Sequence, residues 1–373
     1  MSQERSLNIG VVCGEHSGDR LGSDLIKEIK KHVDINLYGV GGPRLEELGV
    51  RSEFDFSEIN IMGLVEPLAN FRRLNNLRNS LIKLFINNKI DYFIGIDSPD
   101  FNMGIHKALK KNHDNKNIQV VSPSVWGWRQ NRIKPIQANI DLTLCLFNFE
   151  DEFYKGVNHK SLHLGHSFSE LYKVDKYSVI KKYQLNENKK FVSIIPGSRK
   201  SEIHYMLPTY IEFIKEHSKE NKEYVYLLPV ADRKLMKQIQ ELFSKLNLPV
   251  IIKEEAMQDF LSISDISIVT SGTATLESAI LECSPIICYK TGFINYSIIS
   301  RMLKVENIGL PNLLLGKRYF TELLQNNCTQ EAIRRSFKET LPLVKDSKDV
   351  AESLRKALRG IGFSRAAKEI VSI

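Results

Sequence analysis

Short apolar runs rich in β-branched residues alternate along the chain with longer segments in which apolar side chains recur every three or four positions. This alternation predicts repeated strand and helix units, the pattern of an α/β protein with parallel sheets. The predicted strands are 7–13, 36–40, 92–97, 118–122 and 142–146 in the first half, and 191–196, 224–230, 250–252, 266–270 and 286–289 in the second. We therefore expect two doubly wound, Rossmann-like domains in tandem.

Breaks in this pattern predict the domain boundaries. Residues 172–190 are polar, rich in lysine and without a clear period, and a second strand and helix series follows them. We expect a first domain at residues 1–167 and a second at 168–328. Residues 329–373 have a charged helical pattern, and we expect them to pack on the first domain or on a partner subunit.

Composition and charge narrow the function classes. The 373 residues are 42% apolar and 26% charged, enough for two globular cores. Lys and Arg number 52 against 44 Asp and Glu, and the net charge of +8 favours a phosphorylated metabolite, an acidic lipid or a nucleic acid as partner. The five scattered cysteines form no C-x-x-C pair, which favours buried thiols in a reducing cytosol. No apolar stretch approaches the roughly 20 residues that span a bilayer, so we expect any membrane contact to be peripheral.

Two turns of the first domain are candidate ligand sites, because open α/β sheets bind ligands at the carboxyl ends of their strands. Gly14-Glu15-His16-Ser17-Gly18-Asp19 follows the first strand, and Glu15 and Ser17 are its candidate contact residues. The alternative is that Ser17 and Asp19 only cap the next helix. Asp97-Ser98-Pro99-Asp100-Phe101-Asn102 follows the third strand, and Asp97 is the candidate general base. Asp100 is a second candidate contact, with helix capping by Asp100 or Asn102 as its alternative.

Both tryptophans of the chain lie in Ser122-Pro-Ser-Val-Trp126-Gly-Trp128-Arg129. Two tryptophans separated by one glycine are difficult to bury in one small core, so we expect at least one to line a groove. The cluster of Trp126, Trp128 and Arg129 suits a sugar face or an acyl chain better than a nucleic acid, which usually needs more aromatic residues along a basic surface.

Two turns of the second domain suit a nucleotide-sugar. Gly197, Ser198 and Arg199 combine close backbone approach, helix N–H donors and a fixed positive charge, as a pyrophosphate requires. Ser271, Gly272 and Thr273 repeat this logic, and the carboxylate of Glu277 can accept two ribose hydroxyls. A structural turn and an ordinary helix cap are the alternatives.

Three further features complete the candidate chemistry. Asn312 lies in an apolar loop, where it either ties the loop together or binds ligand. No D-x-D triplet, Walker motif or G-x-G-x-x-G fingerprint occurs, so we expect no metal and no cofactor. Residues 61–78 predict an amphipathic helix with a basic rim, which either packs on its own sheet or lies in an anionic lipid interface. Its candidate membrane-contact residues are Leu64, Val65, Leu68, Phe71, Arg72 and Arg73.

In this order, the motifs together resemble those of the lipid-A-disaccharide synthase family. They are the turns at 14–19 and 97–102, Val121-Ser-Pro-Ser-Val-Trp-Gly-Trp-Arg, Leu164-Gly-His166, Pro196-Gly-Ser-Arg199, Ser271-Gly-Thr-Ala-Thr-Leu-Glu277 and Leu310-Pro-Asn-Leu-Leu. The resemblance runs from the first strand to beyond residue 325. It departs from the family at His16, at Gly127 where alanine is expected, and at Ser167-Phe168, and none of these changes removes a charged or hydroxylated motif residue.

The resemblance implies a GT-B glycosyltransferase whose two Rossmann-like domains face each other across a cleft. It implies transfer from UDP-2,3-diacylglucosamine to 2,3-diacylglucosamine 1-phosphate with inversion, giving the lipid A disaccharide 1-phosphate and UDP. It further implies a homodimer at the cytoplasmic face of the inner membrane, with no nucleic acid as partner. The alternatives are another GT-B transferase that uses a UDP-sugar, a UDP-sugar epimerase, and a basic protein that binds lipid or nucleic acid without catalysis.

Overall fold

The structure is a computed structural model of the chain, and it describes residues 6–59, 71–127, 130–230, 233–292 and 307–373. The chain divides into two compact units. The first unit comprises the residues up to His166 together with Arg359–Ile373, and the second comprises Ser167–Leu358. Within the described residues, no helix is both long and apolar enough to cross a membrane.

The first unit contains a seven-stranded parallel sheet with strand order β3-β2-β1-β4-β5-β6-β7. Its strands are β1 (Leu7–Cys13), β2 (Ile35–Val40), β3 (Arg51–Ser52), β4 (Tyr92–Ile96), β5 (Lys116–Val120), β6 (Leu142–Cys145) and β7 (Ser161–His163). The helices between them are α1 (His16–Ile29), α2 (Pro43–Glu47), α3 (Phe71–Asn87), α4 (Pro99–Asn112), α5 (Ile133–Asn139) and α6 (Asn148–Gly156).

The second unit contains a six-stranded parallel sheet with strand order β10-β9-β8-β11-β12-β13. Its strands are β8 (Lys190–Ile195), β9 (Tyr224–Val230), β10 (Val250–Glu254), β11 (Ile266–Thr270), β12 (Ser284–Tyr289) and β13 (Glu322–Leu324). Its helices are α7 (Lys176–Tyr183), α8 (Lys200–Glu220), α9 (Arg233–Ser244), α10 (Met257–Ile263), α11 (Thr273–Ile280), α12 (Leu310–Leu315), α13 (Gln330–Thr340) and α14 (Ser347–Leu358).

The strands form because both of their faces are buried. Successive side chains of a strand point to opposite faces, so Ile9 and Val11 of β1 enter the core under α1, while Val12 enters the core under α3 and α4. Strands covered on both sides are continuously apolar rather than alternating, which is why the apolar runs in the sequence mark most of them. The predicted α/β class with two doubly wound parallel sheets is confirmed.

The C-terminal residues are shared between the units. The last helix, α15 (Gly362–Val371), packs on α1, and its Ile370 is 1% exposed in the core of the first unit. In contrast, α13 and α14 belong to the second unit. Arg355 of α14 is 3% exposed and donates to the carbonyls of Leu171 and Ile280. Residues 359–373 therefore belong to the first unit, while residues 329–358 belong to the second.

Two kinds of element differ from the sequence prediction. The strands β3, β7 and β13 are only two or three residues long and pair with one neighbouring strand each, so they lack the long apolar run of a central strand. Helix α1 begins at His16, and its N-cap residue is Glu15 rather than Ser17 or Asp19. Ser17 therefore lies inside the first turn of the helix.

Candidate active site

The two predicted turns of the first unit are neighbours. A Cβ atom added to Gly14 would lie 3.0 Å from the Ser98 hydroxyl, and one added to Gly18 would lie 3.9 Å from the Cβ of Asp97. Glu15 is half-buried and Ser17 is exposed at the start of α1. The close approach brings Glu15, Ser17 and Asp97 into one region at the carboxyl ends of β1 and β4.

Asp97 and Ser98 have an unusual backbone conformation. Their φ angles are 52° and 39°, in the left-handed region that residues other than glycine rarely adopt. Such conformations cost of the order of 1–3 kcal/mol each and concentrate at functional sites. Asp97 is half-buried, and its burial raises the pKa of the carboxyl above its usual value.

Two other acidic residues of these turns, Asp19 and Asp100, have structural partners. Asp19 does not cap α1: its carboxylate accepts hydrogen bonds from the backbone N–H groups of Gly42, Arg44 and Leu45 at 2.9–3.0 Å, and so caps α2. Asp100 is exposed and forms an ion pair with Arg132. The N-cap residue of α4 is Ser98, so neither Asp100 nor Asn102 caps that helix.

Trp126 belongs to an aromatic cluster at the ends of β5, β6 and β7. Its indole N–H donates to Oε1 of Glu150 at 3.2 Å, and its ring contacts Phe149 edge-on at 4.7 Å between centroids. Phe147 stacks between Phe149 and His166, at 5.4 and 5.6 Å. Burial raises the pKa of Glu150 to about 8 and lowers that of His166 to about 4.

This cluster was only partly predictable. Phe147, Phe149 and Glu150 directly follow β6, and two aromatic residues and a carboxylate after a buried strand are the signal that could have found them. Trp128 and Arg129 lie outside the described residues.

The first turn of the second unit already holds a carboxylate. The backbone N–H groups of Ser198 and Arg199 donate to Oε2 of Glu202 at 3.0 and 3.2 Å, and the Arg199 guanidinium donates to Oε1 at 3.3 Å. Gly197 has a φ of 107°, which glycine adopts without strain. Glu202 therefore binds the backbone N–H groups that the sequence analysis predicts as hydrogen-bond donors to a phosphate.

The second turn of this unit is more open. Gly272 and Thr273 are exposed at the start of α11, and Ser271 is half-buried. Glu277, one turn further along, is half-buried, and burial raises the pKa of its carboxyl to about 6. The Thr275 hydroxyl donates to the Gly272 carbonyl at 2.8 Å and stabilises the turn.

The hydrogen bonds of Asn312 favour the alternative in which its side chain ties the loop together. It is fully buried, and its amide nitrogen donates to the Phe320 carbonyl and to Glu322, both at 2.8 Å. Its amide oxygen accepts from the backbone N–H groups of Tyr319 and Phe320. All four hydrogen-bonding positions of the side chain are thus used inside the protein. Asn312 shapes the loop, and its predicted place among the nucleotide-sugar contacts is corrected on that ground.

The predicted membrane-contact residues are only partly visible. Leu64, Val65 and Leu68 lie outside the described residues, as does the side chain of Phe71. Arg72 and Arg73 are exposed at the start of α3. Arg73 forms an ion pair with Glu58 at 2.7 Å and also donates to the Glu58 carbonyl.

The architecture defines the fold class. Two doubly wound parallel sheets form a GT-B-like fold, which solved structures of glycosyltransferases and sugar-nucleotide epimerases share. The glycotransferase of kitacinnamycin has a TM-score of 0.61 at 12% identity, with 99% of both chains covered. The UDP-GlcNAc 2-epimerase from Neisseria meningitidis, bound to UDP-GlcNAc, has a TM-score of 0.56 at 14% identity, with 98% of this chain and 99% of that chain covered.

Within this class, the chain belongs to the lipid-A-disaccharide synthetase family, whose model matches residues 9–370. The lipid-A-disaccharide synthase 2 of Legionella pneumophila (strain Paris) is 35% identical over 369 residues, which is 95% of both sequences. The resemblance identified from the motifs is thereby confirmed.

Proposed function

We propose that the protein is an inverting glycosyltransferase that joins UDP-2,3-diacylglucosamine to 2,3-diacylglucosamine 1-phosphate. The products are the lipid A disaccharide 1-phosphate and UDP. The observation that carries the proposal is the half-buried Asp97 on a left-handed turn at the end of β4, in a chain of this family.

Asp97 acts as general base toward the acceptor. Its carboxylate takes the proton of the acceptor 6-hydroxyl while that oxygen attacks the anomeric carbon of the donor. The new carbon–oxygen bond forms as the bond to the UDP oxygen breaks, and UDP leaves with the electron pair. Because the attack and departure occur on opposite faces in one displacement, the anomeric centre is inverted without a covalent enzyme intermediate.

The surroundings of Asp97 supply the acceptor contacts. Glu15, Ser17 and Asp100 offer hydrogen-bond partners to sugar hydroxyls in the same region. Trp126 presents an aromatic surface whose orientation is fixed by Glu150 and Phe149. Trp128 and Arg129 join this set as a proposal from the sequence motif alone.

The second unit binds the donor. The Arg199 guanidinium and the start of α11, with Ser271, Gly272 and Thr273, stabilise the negative charge that develops on UDP. This positive charge takes the place of a metal ion, so we propose a metal-independent reaction. The half-buried carboxylate of Glu277 accepts the two ribose hydroxyls. The epimerase bound to UDP-GlcNAc, which shares the fold, supports a sugar-nucleotide ligand.

We further propose that the protein acts as a homodimer at the cytoplasmic face of the inner membrane. Both substrates are acylated, so the enzyme must take them from a lipid surface. The apolar residues Leu64, Val65, Leu68 and Phe71, followed by Arg72 and Arg73, suit an anionic lipid interface.

The decisive experiment measures UDP release by the purified protein in detergent micelles. UDP-2,3-diacylglucosamine is supplied alone and then with 2,3-diacylglucosamine 1-phosphate. We expect release that requires the acceptor and yields a disaccharide. Interconversion of the UDP-sugar without an acceptor would identify an epimerase, and a folded protein that releases no UDP with either mixture would contradict the proposal.

A further inference from the structure

A buried side chain lies directly beneath the turn that carries Asp97. Gln119 of β5 is 1% exposed. Its amide nitrogen is 3.1 Å from the Asp97 carbonyl oxygen, 3.0 Å from that of Val120 and 3.3 Å from that of Val121. One side chain therefore joins the ends of two neighbouring strands at the candidate active site.

The orientation of this amide is set by His106. The Gln119 amide oxygen is 3.1 Å from Nε2 of His106, which is fully buried on α4. Because carbonyl oxygens surround the amide nitrogen of Gln119, its amide oxygen must face the histidine, and Nε2 of His106 must carry the proton. Burial lowers the pKa of His106 to about 4, so the ring is neutral at physiological pH and has one such proton to donate.

A second amide holds the same carbonyl. The side chain of Asn102, which is fully buried on α4, donates to the Asp97 carbonyl at 2.8 Å. Gly95 makes room for both amides: a Cβ atom there would lie 3.0 Å from the Cβ and Cγ of Asn102 and from the Gln119 amide oxygen. The glycine in the middle of a buried strand is thus explained by the two side chains that pass beside it.

We propose that Gln119, Asn102 and His106 are positioning residues that hold the backbone of Asp97 in its left-handed conformation and so aim its carboxylate at the acceptor hydroxyl. Asp97, Ser98 and the β-branched Val121 have φ angles of 52°, 39° and 70°, and conformations of this kind persist only where the surrounding structure determines them. Two amide donors on one carbonyl provide that constraint. The inference rests on the proposed role of Asp97 as general base.

The test replaces Gln119 with leucine, which keeps the approximate volume and removes the donors. We expect kcat to fall by about tenfold to a hundredfold, as for a misplaced catalytic group, while the KM values for both substrates change by less than about twofold. Asn8→Leu is the matched control. Asn8 is a half-buried amide on β1 of the same sheet, and it donates to the Asn88 carbonyl at 3.0 Å and not to the turn or to His106. We expect this control to lower the melting temperature while keeping kcat within about twofold.

A double variant separates positioning from general loss of structure. If Gln119 acts through Asp97, Gln119→Leu in an Asp97→Asn background causes no further fall in kcat. An additive fall, an unchanged kcat in folded Gln119→Leu, or an equal fall in Asn8→Leu would overturn the inference. If Gln119→Leu does not fold, Gly95→Ala replaces it, because the added methyl group crowds the same two amides. We expect Gly95→Ala to lower kcat by about the same factor.

The failure of the proposed function has a different signature. If the wild-type protein shows no acceptor-dependent UDP release, or if Asp97→Asn keeps full activity, then Asp97 is not the general base. The positioning role can then still be tested by structure. Crystal structures of Gln119→Leu and Gly95→Ala should show the backbone at Asp97 and Ser98 leaving the left-handed region. Retention of both φ angles in both variants would overturn the inference.

Discussion

The acidic side chains of the first unit differ in what surrounds each of them. Asp19 accepts three backbone N–H groups and Asp100 is paired with Arg132, so both have structural partners. Asp97 is half-buried, and its pKa is raised by that burial. A general base is most effective when its pKa approaches the working pH. The residue-scale environment therefore favours Asp97 over Asp19 and Asp100.

Asp97→Asn is expected to lower kcat by about 10²–10⁴-fold, because the amide cannot accept the proton of the attacking hydroxyl. UDP binding, measured by calorimetry, should be unchanged, since the proposed donor contacts lie in the second unit. Asp114→Asn, at an exposed carboxylate just after α4, serves as the control and should leave kcat intact. A loss smaller than about tenfold in Asp97→Asn would mean that another group accepts the proton.

Glu150 should make stability fall as the pH rises. Burial raises its folded-state pKa from 4.5 to about 8, so its contribution is fully present below pH 4.5 and is lost as the pH rises toward 8. Urea unfolding at several pH values should show a steeper decline between pH 5 and 8 for the wild type than for Glu150→Gln, by at most about 1.4 kcal/mol per pH unit. Parallel curves for the two proteins would show that Glu150 does not titrate in this window.

At the scale of the element, the starts of α8 and α11 differ although their sequences suggest the same use. Glu202 is the third residue of α8, and its carboxylate accepts hydrogen bonds from the backbone N–H groups of Ser198 and Arg199 at the start of the helix. The start of α11 has exposed Gly272 and Thr273. We therefore propose that the Arg199 side chain makes the phosphate contacts of the first turn and that the helix start makes those of the second.

Glu202→Ala removes this cap and should lower the free energy of unfolding by about 0.5–2 kcal/mol. Urea denaturation is the measurement. Glu216→Ala, on the same helix where Glu216 forms an ion pair with Lys219, is the control and should change stability by less than about 0.5 kcal/mol. Equal effects of the two substitutions would show that the cap contributes nothing specific.

At the scale of the whole molecule, the net charge of +8 favours an anionic binding partner or surface. Membership of a family named for lipid A synthesis favours an acidic lipid surface over nucleic acid. Arg72 and Arg73 are exposed at the start of α3, directly after the apolar stretch that the sequence singles out. The membrane contact that we propose for the first unit accounts for both features.

Replacing Arg72 and Arg73 with alanine should weaken binding to vesicles of phosphatidylglycerol by about tenfold or more at low salt, because each basic residue near such a surface contributes about 1 kcal/mol. Co-sedimentation at rising salt measures the effect. The control removes the same charge from the exposed face of α13 through Arg335→Ala and Lys338→Ala. Equal weakening by the two pairs would indicate unspecific attraction rather than a contact face.

The sequence by itself determined the α/β class, most central strands and the family, because buried parallel strands require continuous apolar runs and strand-end turns require particular residues. It did not reveal the short edge strands β3, β7 and β13, whose pairing depends on a neighbouring strand. Only the tertiary structure decided that Asn312 is saturated, that Glu202 occupies the turn of Arg199, and that Gln119 holds Asp97. Burial and hydrogen-bond partners arise between residues distant in sequence, so they exist only once the chain has folded.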